Sequence, residues 1–145
     1  MKLFLRQADA SDLPLLSRMN RQLIEDEGST NPMSTEELLV RMKGWLQSGW
    51  QIDLLLRDTT VLGYALYQLR RNERGKEEVY LRQYFIERKH RGRGYGQAGI
   101  ALLLETRWDP GHTIVVEVLE TNPAGHRFWQ RVGFAPYSTT LTRNG

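Results

Sequence analysis

The 145-residue chain is long enough for one domain with a buried core, and its 40% hydrophobic content excludes a disordered polymer. It has no cysteine, which removes disulfides, thiolate metal sites and cysteine nucleophiles, and no apolar run approaches the ~20 residues of a membrane span. The net charge is only +3, yet Arg82, Arg88, Lys89, Arg91 and Arg93 cluster around one glycine-rich stretch, while Glu25, Asp26 and Glu27 form a separate acidic patch. That division suits an anionic ligand beside a cationic one.

In chain order, residues 3–6 read as a short first strand. Asp9 or Ser11 caps the helix that follows, with Pro14 tolerated in its first turn. Leu16, Met19 and Leu23 recur at helical spacing, and this helix ends near Glu25, before a breaker-rich loop at 28–32. Ser34 and Glu37 have capping-box spacing. Leu38, Met42, Trp45 and Leu46 then mark one face of a second helix that stops at Gly49. Residues 52–57 and 61–69 read as a hairpin about Asp58-Thr59-Thr60. A charged loop at 70–77 leads to a long strand at 78–86, along which Tyr80, Arg82 and Tyr84 share one face by simple alternation.

Ile100, Leu103 and Leu104 mark a third helix ending near Trp108, and Asp109-Pro110-Gly111 is a turn. Residues 114–118 are β-branched and read as a buried strand. Asn122-Pro123 starts a fourth helix, Gly133 stops it, and residues 134–142 supply one or two closing strands. The order β-α-α-β-β-β-α-β-α-β predicts one α/β domain over residues 1–145, a mixed central sheet with helices on both faces. The first seven residues hold no stretch apolar enough for a signal peptide, so a cytoplasmic protein with no membrane partner is expected.

Arg91-Gly92-Arg93-Gly94-Tyr95-Gly96 stands between the long strand and the third helix. Free amides at a helix start, bare glycine backbone and arginines together suit a phosphate group. A phosphate-binding P-loop would need Gly-Lys followed by Ser or Thr, whereas Gln97 and Ala98 follow Gly96. A dinucleotide fingerprint needs G-x-G-x-x-G, and the spacing here is G-x-G-x-G. The basic residues form one local cluster and not a stripe interleaved with aromatics, so no nucleic-acid partner is expected. No His, Asp and Glu grouping has ligand spacing, so no metal is expected.

Arg91-x-x-Gly94-x-Gly96 after Phe85-Ile86 resembles the acyl-CoA signature of the GCN5-related N-acetyltransferases (GNAT). Val118, Asn122, Phe128 and Gly133-Phe134 resemble that family's later block, and the element order agrees over nearly the whole chain. The resemblance implies a GNAT-like fold and acetyl-CoA as acyl donor. Its pantetheine arm would lie along the main chain of Tyr84, Phe85 and Ile86. Its pyrophosphate would sit on the amides of Gly92, Arg93, Gly94, Tyr95 and Gly96, with Arg91 and Arg88 beside it. Asn122 would help hold the donor and Phe128 would line its thioester end. The acceptor would be a primary amine of a small molecule or peptide, and a homodimer is compatible with the family.

Acetyl transfer also needs a base, an oxyanion donor and an acid. By the resemblance, the Ile86 amide is the oxyanion donor, and Glu27 or Asp26, at the end of the first helix, is the base. The family often carries Tyr where this chain has Trp129, and an indole is not a proton source near neutral pH. Either the thiolate leaves through water or another hydroxyl, Tyr84 or Tyr137, substitutes as acid. The alternative reading is a catalytically weak or inactive acyl-CoA-binding module. Gly125 stands where the family usually has Ala, which loosens the last helix.

Overall fold

The computed structural model describes residues 2–145. Its strands are β1 (Leu3–Gln7), β2 (Gln51–Arg57), β3 (Thr60–Arg71), β4 (Glu77–Ile86) and β5 (Thr113–Val115). Its helices are α1 (Leu13–Asp26), α2 (Thr35–Gln47), α3 (Tyr95–Thr106) and α4 (Pro123–Arg131). The strands lie in sequence order, antiparallel from β1 to β4 and parallel between β4 and β5, which makes a mixed sheet. No helix among the described residues is long and apolar enough to cross a membrane.

Helices cover both faces because the strands alternate apolar side chains to each. Ile52, Leu54, Leu56, Tyr64, Leu66 and Phe85 pack with Leu16, Met19, Leu23 and Met42 under α1 and α2. Ala65, Tyr67, Val79 and Leu81 pack with Ile100, Leu103 and Trp108 under α3. Local chemistry sets the helix ends. Ser34 accepts from the Glu37 amide at 3.2 Å, and the Glu37 carboxylate accepts from the Ser34 amide at 2.9 Å, closing the expected capping box. Gly133 takes φ 103°, and the Phe134 amide donates back to the Trp129 carbonyl at 2.9 Å, which ends α4.

Three expectations change. β3 and β4 extend to Arg71 and from Glu77, so the charged connection shrinks to a tight turn in which the Gly75 amide bonds the Asn72 carbonyl at 2.9 Å. β5 is three residues long where five were expected, and no strand follows α4 among the described residues. Finally, Leu66 faces Gln83 while the next residue, Tyr67, faces Leu81, so Arg82 is an extra residue in β4. The bulge reverses side-chain parity. Tyr80 reaches Trp50 on the α2 side, whereas Tyr84 packs with Phe128 and Trp129 on the α3 and α4 side. Tyr80 and Tyr84 therefore do not share a face.

Candidate active site

β4 pairs with β5 only at Glu78, Val79 and Tyr80. From Leu81 to Ile86 its outer edge has no ladder partner among the described residues. The Glu87 amide bonds the Leu62 carbonyl on β3 at 2.8 Å, so the Ile86 carbonyl of the same trans peptide points the other way. A strand residue directs its own N–H and C=O to one side, so the Ile86 amide also faces the open edge, as does that of Tyr84. Phe85 has the opposite sense. Its carbonyl presses on β3, where a Cβ on Gly63 would stand 1.8 Å from it, and its ring is buried in the core.

The chain then passes through a short 3-10 turn (Arg88–His90) into the glycine stretch. Gly92 and Gly94 have φ of 77° and 80°, a region that costs an L-residue about 1–2 kcal/mol. A Cβ on either would meet open space, so a ligand can approach the main chain there. Gly94 is the N-cap of α3 and supplies no side-chain acceptor, which leaves the amides of the first turn available to an external anion. Tyr95 offers only its amide, since its ring is buried and its hydroxyl accepts from Arg57 at 2.8 Å. Gly96 answers to packing, because a Cβ would stand 3.0 Å from the Phe128 ring. The Gly96 carbonyl accepts from the Tyr84 hydroxyl at 2.7 Å, and Tyr84 stacks on Phe128 with centroids 6.1 Å apart. Burial raises the Tyr84 hydroxyl pKa.

The acidic patch is not separate from the basic cluster. Asp26 accepts from Arg91 at 2.6 Å and from Arg88 at 2.8 Å, and Arg88 also reaches Glu25 at 3.3 Å. Arg91 Nε donates to the Ile86 carbonyl at 2.7 Å, so one guanidinium joins the end of α1 to the end of β4. Burial pushes the Asp26 carboxyl up, but the bonds from Arg88 and Arg91 outweigh it and hold it low. Arg93 is exposed. Glu27 differs from its neighbour. It is half-buried, and burial first, then the Asp26 charge, raises its pKa. Thr121 fixes this end of α1 by donating to the Glu27 carbonyl at 2.8 Å.

At α4, Asn122 Oδ1 accepts from the Gly125 amide at 3.0 Å, a helix cap. A Cβ at position 125 would stand 2.3 Å from Asn122 Nδ2, so Gly125 leaves room for the capping side chain to fold over the helix turn. Trp129 packs on Tyr84, Phe128 and Phe134 at centroid distances of 5.9, 4.9 and 5.1 Å, an aromatic wall beside the open edge. Tyr137 is 93% exposed beyond that wall.

Three residues on the other side of β4 escaped the sequence reading. Tyr64 is fully buried and donates to Gln83 at 2.8 Å. Burial and then the Glu27 charge raise its pKa, while the Arg41 charge opposes them, so both charged groups lie within electrostatic reach of one phenol. Tyr64, Gln83 and Arg41 come from three elements, and no local spacing links them. A cavity of about 570 Å³ lies elsewhere, lined by Gln7, Asp53, Tyr67, Arg107 and His112, and its Asp53 is already held by Tyr67 at 2.6 Å and Arg107 at 3.2 Å.

The model of the acetyltransferase (GNAT) family matches residues 18–134. A search of curated proteins finds no match. Among solved structures, the aminoglycoside N-acetyltransferase AAC(6')-Iy in complex with CoA is similar, with TM-score 0.78 and 17% identity over 99% of this chain and 95% of that one. A predicted acetyltransferase with acetyl-CoA from Clostridium acetobutylicum gives TM-score 0.73 and 18% identity, over 99% and 96% of the two chains. A GNAT family acetyltransferase of Staphylococcus aureus gives TM-score 0.71 and 18% identity, over 99% of each. At these identities the likeness is one of fold.

Proposed function

The chain belongs to the acetyltransferase (GNAT) family, and on that premise we propose that it transfers an acetyl group from acetyl-CoA to a primary amine of a small molecule or peptide, by direct attack in a ternary complex. The observation that carries this reading is the open edge of β4, ending at Ile86 beside the uncapped, glycine-lined start of α3. The residues present fit acetyl-CoA. Main-chain groups of Tyr84 and Ile86 face the edge where the pantetheine amides would pair, with Phe85 between them. The main chain is open at Gly92 and Gly94, where a pyrophosphate would meet the first amides of α3, with Arg91 and Arg93 as its cations. Phe128 and the Asn122 cap form the far wall of the cleft.

Acetyl-CoA supplies a thioester whose carbonyl carbon takes the amine nitrogen as the C–S bond breaks, giving an N-acetylated product and CoA thiol. The Ile86 amide stabilises the developing oxyanion, a contribution of about 3–4 kcal/mol for one well-placed donor. Glu27 takes the amine proton, directly or through water. Its raised pKa brings its basicity closer to neutral pH than that of an ordinary carboxyl. Tyr84 is the candidate proton donor to the leaving sulfur, but burial raises its pKa and its hydroxyl is bonded to the Gly96 carbonyl, so the thiolate, itself a good leaving group, leaves through water when Tyr84 does not donate. Trp129 takes no proton role and excludes water from the cleft.

The test is release of CoA thiol from acetyl-CoA on an amine panel, with the melting temperature recorded with and without CoA. Turnover with N-acetylated product supports the reading. A stabilising shift without turnover on a broad panel would leave an acyl-CoA-binding module. No shift at saturating CoA would overturn both.

A further inference from the structure

Two arginines stand without a carboxylate on the α2 side of β4. The Arg41 guanidinium lies 4.7 Å from the centroid of the Trp45 ring, and the Arg82 guanidinium lies 5.1 Å from the same centroid and 5.9 Å from that of Trp50. Neither forms an ion pair among the described residues, whereas Arg21, half-buried on α1, pairs with Glu25 at 3.6 Å. Arg41 has one hydrogen-bond partner, Asn20 Oδ1 at 3.1 Å. Its buried Nε has none, and neither does Nδ2 of Asn20, a residue with no exposed surface. Glu117, which follows β5, is taken by the hydroxyl of Tyr80, the β4 residue that packs on Trp50. Burial and then the Arg82 charge lower the proton affinity of Arg41.

Two like charges over one indole, with donors left over, are a poor resting arrangement and a good receptor for an anion. Stacking on Trp45 offsets only part of the cost. The position matters as much as the charge. Arg82 is the bulged residue of β4, beside Gln83. Gln83 holds the Tyr64 phenol, on which the Glu27 and Arg41 charges both act. Arg41 bonds Asn20 on α1, and Glu27 follows Asn20 by two helical turns, so the arginines and the proposed base lie on the same α1 and α2 side of β4.

We propose that the amine acceptor is a small molecule that also carries an anionic group, a carboxylate or a phosphate. Arg41 and Arg82 bind that group while its amine end meets Glu27. This inference rests on the acetyltransferase reading and adds the acceptor's class to it. A polycationic acceptor such as an aminoglycoside would bring like charge to both guanidiniums and is disfavoured.

The probes are ω-amino carboxylates of three to six carbons, the matching aminoalkyl phosphates, the primary amides of the same carboxylates, and a linear polyamine. Two readouts are taken on the full chain: kcat/KM for acetylation, and the melting shift each probe gives on the CoA-saturated protein. We expect at least one anionic amine to exceed its neutral amide by tenfold or more in kcat/KM and to give the larger melting shift. The carboxylate and phosphate arms identify which anion is used. In Arg82→Gln and Arg41→Lys the anion-to-amide ratio falls toward one, and in Arg82→Glu the polyamine overtakes the anionic amine. Equal kcat/KM for amide and carboxylate overturns the proposal and leaves the acetyltransferase reading standing. Without turnover of any probe, an anion-specific melting shift that Arg82→Gln abolishes supports the anion site while the acetyltransferase reading falls. Absence of that shift overturns the site as well.

Discussion

Asp26 and Arg91 meet at 2.6 Å across 65 residues of sequence, and through this contact the last turn of α1 is fastened to the glycine stretch that opens α3. The pair links a structural anchor to the cation proposed for the pyrophosphate, and Arg91 also holds the Ile86 carbonyl. Asp26→Asn should cost about 0.5–1 kcal/mol through the loss of this pair, discounted because Arg91 is 41% exposed. Removing an anion beside the proposed pyrophosphate site should at the same time tighten CoA a few-fold at low salt. Because the folded-state pKa of Asp26 lies below its unfolded value, the stabilisation is present at neutral pH and is lost as pH falls through the folded value, below about 4. Melting curves from pH 7 to pH 3 should therefore converge for the wild type and Asp26→Asn.

Gly94 has a requirement that no other residue meets equally well. Its φ of 80° and the open space where a Cβ would project make it a point of backbone approach. Gly94→Asp adds bulk and negative charge at the mouth of α3. We expect the CoA dissociation constant to rise at least tenfold, about 1.4 kcal/mol, measured by calorimetry. An unchanged constant would mean that CoA binds elsewhere.

Gly99 and Tyr84 make a reciprocal pair. A Cβ on Gly99 would stand 2.2 Å from the Tyr84 hydroxyl and 2.9 Å from Leu55 Cδ2. Gly99→Ala should destabilise by about 1–3 kcal/mol through overpacking. Tyr84→Phe should cost about 1 kcal/mol through its lost bond to Gly96. In the double variant the hydroxyl is gone, so the combined loss in urea melts should fall short of the sum by roughly 1 kcal/mol. Strict additivity would show that the two side chains do not compete for one space.

Glu27 should set the acid limb of the pH–rate profile. Activity requires its carboxylate, so kcat/KM rises with pH through a value above the ordinary carboxyl pKa of about 4.3. Glu27→Gln should lower kcat/KM by roughly 10²–10⁴ and flatten that limb. Asp26→Asn removes one of the two causes of the shift and should move the limb to lower pH. A limb unaffected by either substitution would remove Glu27 from the base role.

What could be read from sequence was local. The Ser34–Glu37 box, the Asn122 cap before Pro123 and the Gly133 stop each involve residues within five positions, and each formed as expected. The mixed character of the sheet followed from hairpins early in the chain and helix-length connections later. The bulge at Arg82 was not legible, because Tyr80, Arg82 and Tyr84 alternate as a regular strand would and only the partner register reveals the extra residue. The closing strand failed for a related reason. Residues 134–142 have strand-like composition, yet they form no ladder with the three-residue β5 or with the open edge of β4. The Asp26–Arg91 bond and the Arg41–Arg82 pair join distant segments and leave no trace in spacing.

One inserted residue in β4 also has a consequence for how such a chain can change over generations. Without Arg82 as a bulge, every side chain on one half of the strand would turn over, and Tyr80 and Tyr84 would point into the same chamber. With it, the strand serves two chambers whose walls are encoded by different residues: Tyr80 and Arg82 on the α2 side, Tyr84 on the α3 and α4 side. Replacements at the first set leave the open edge at Ile86 and the aromatic wall intact. On the proposed reading, new acceptors can thus be sampled by drift at a few positions, while the half of the strand assigned to the acyl donor stays under separate constraint.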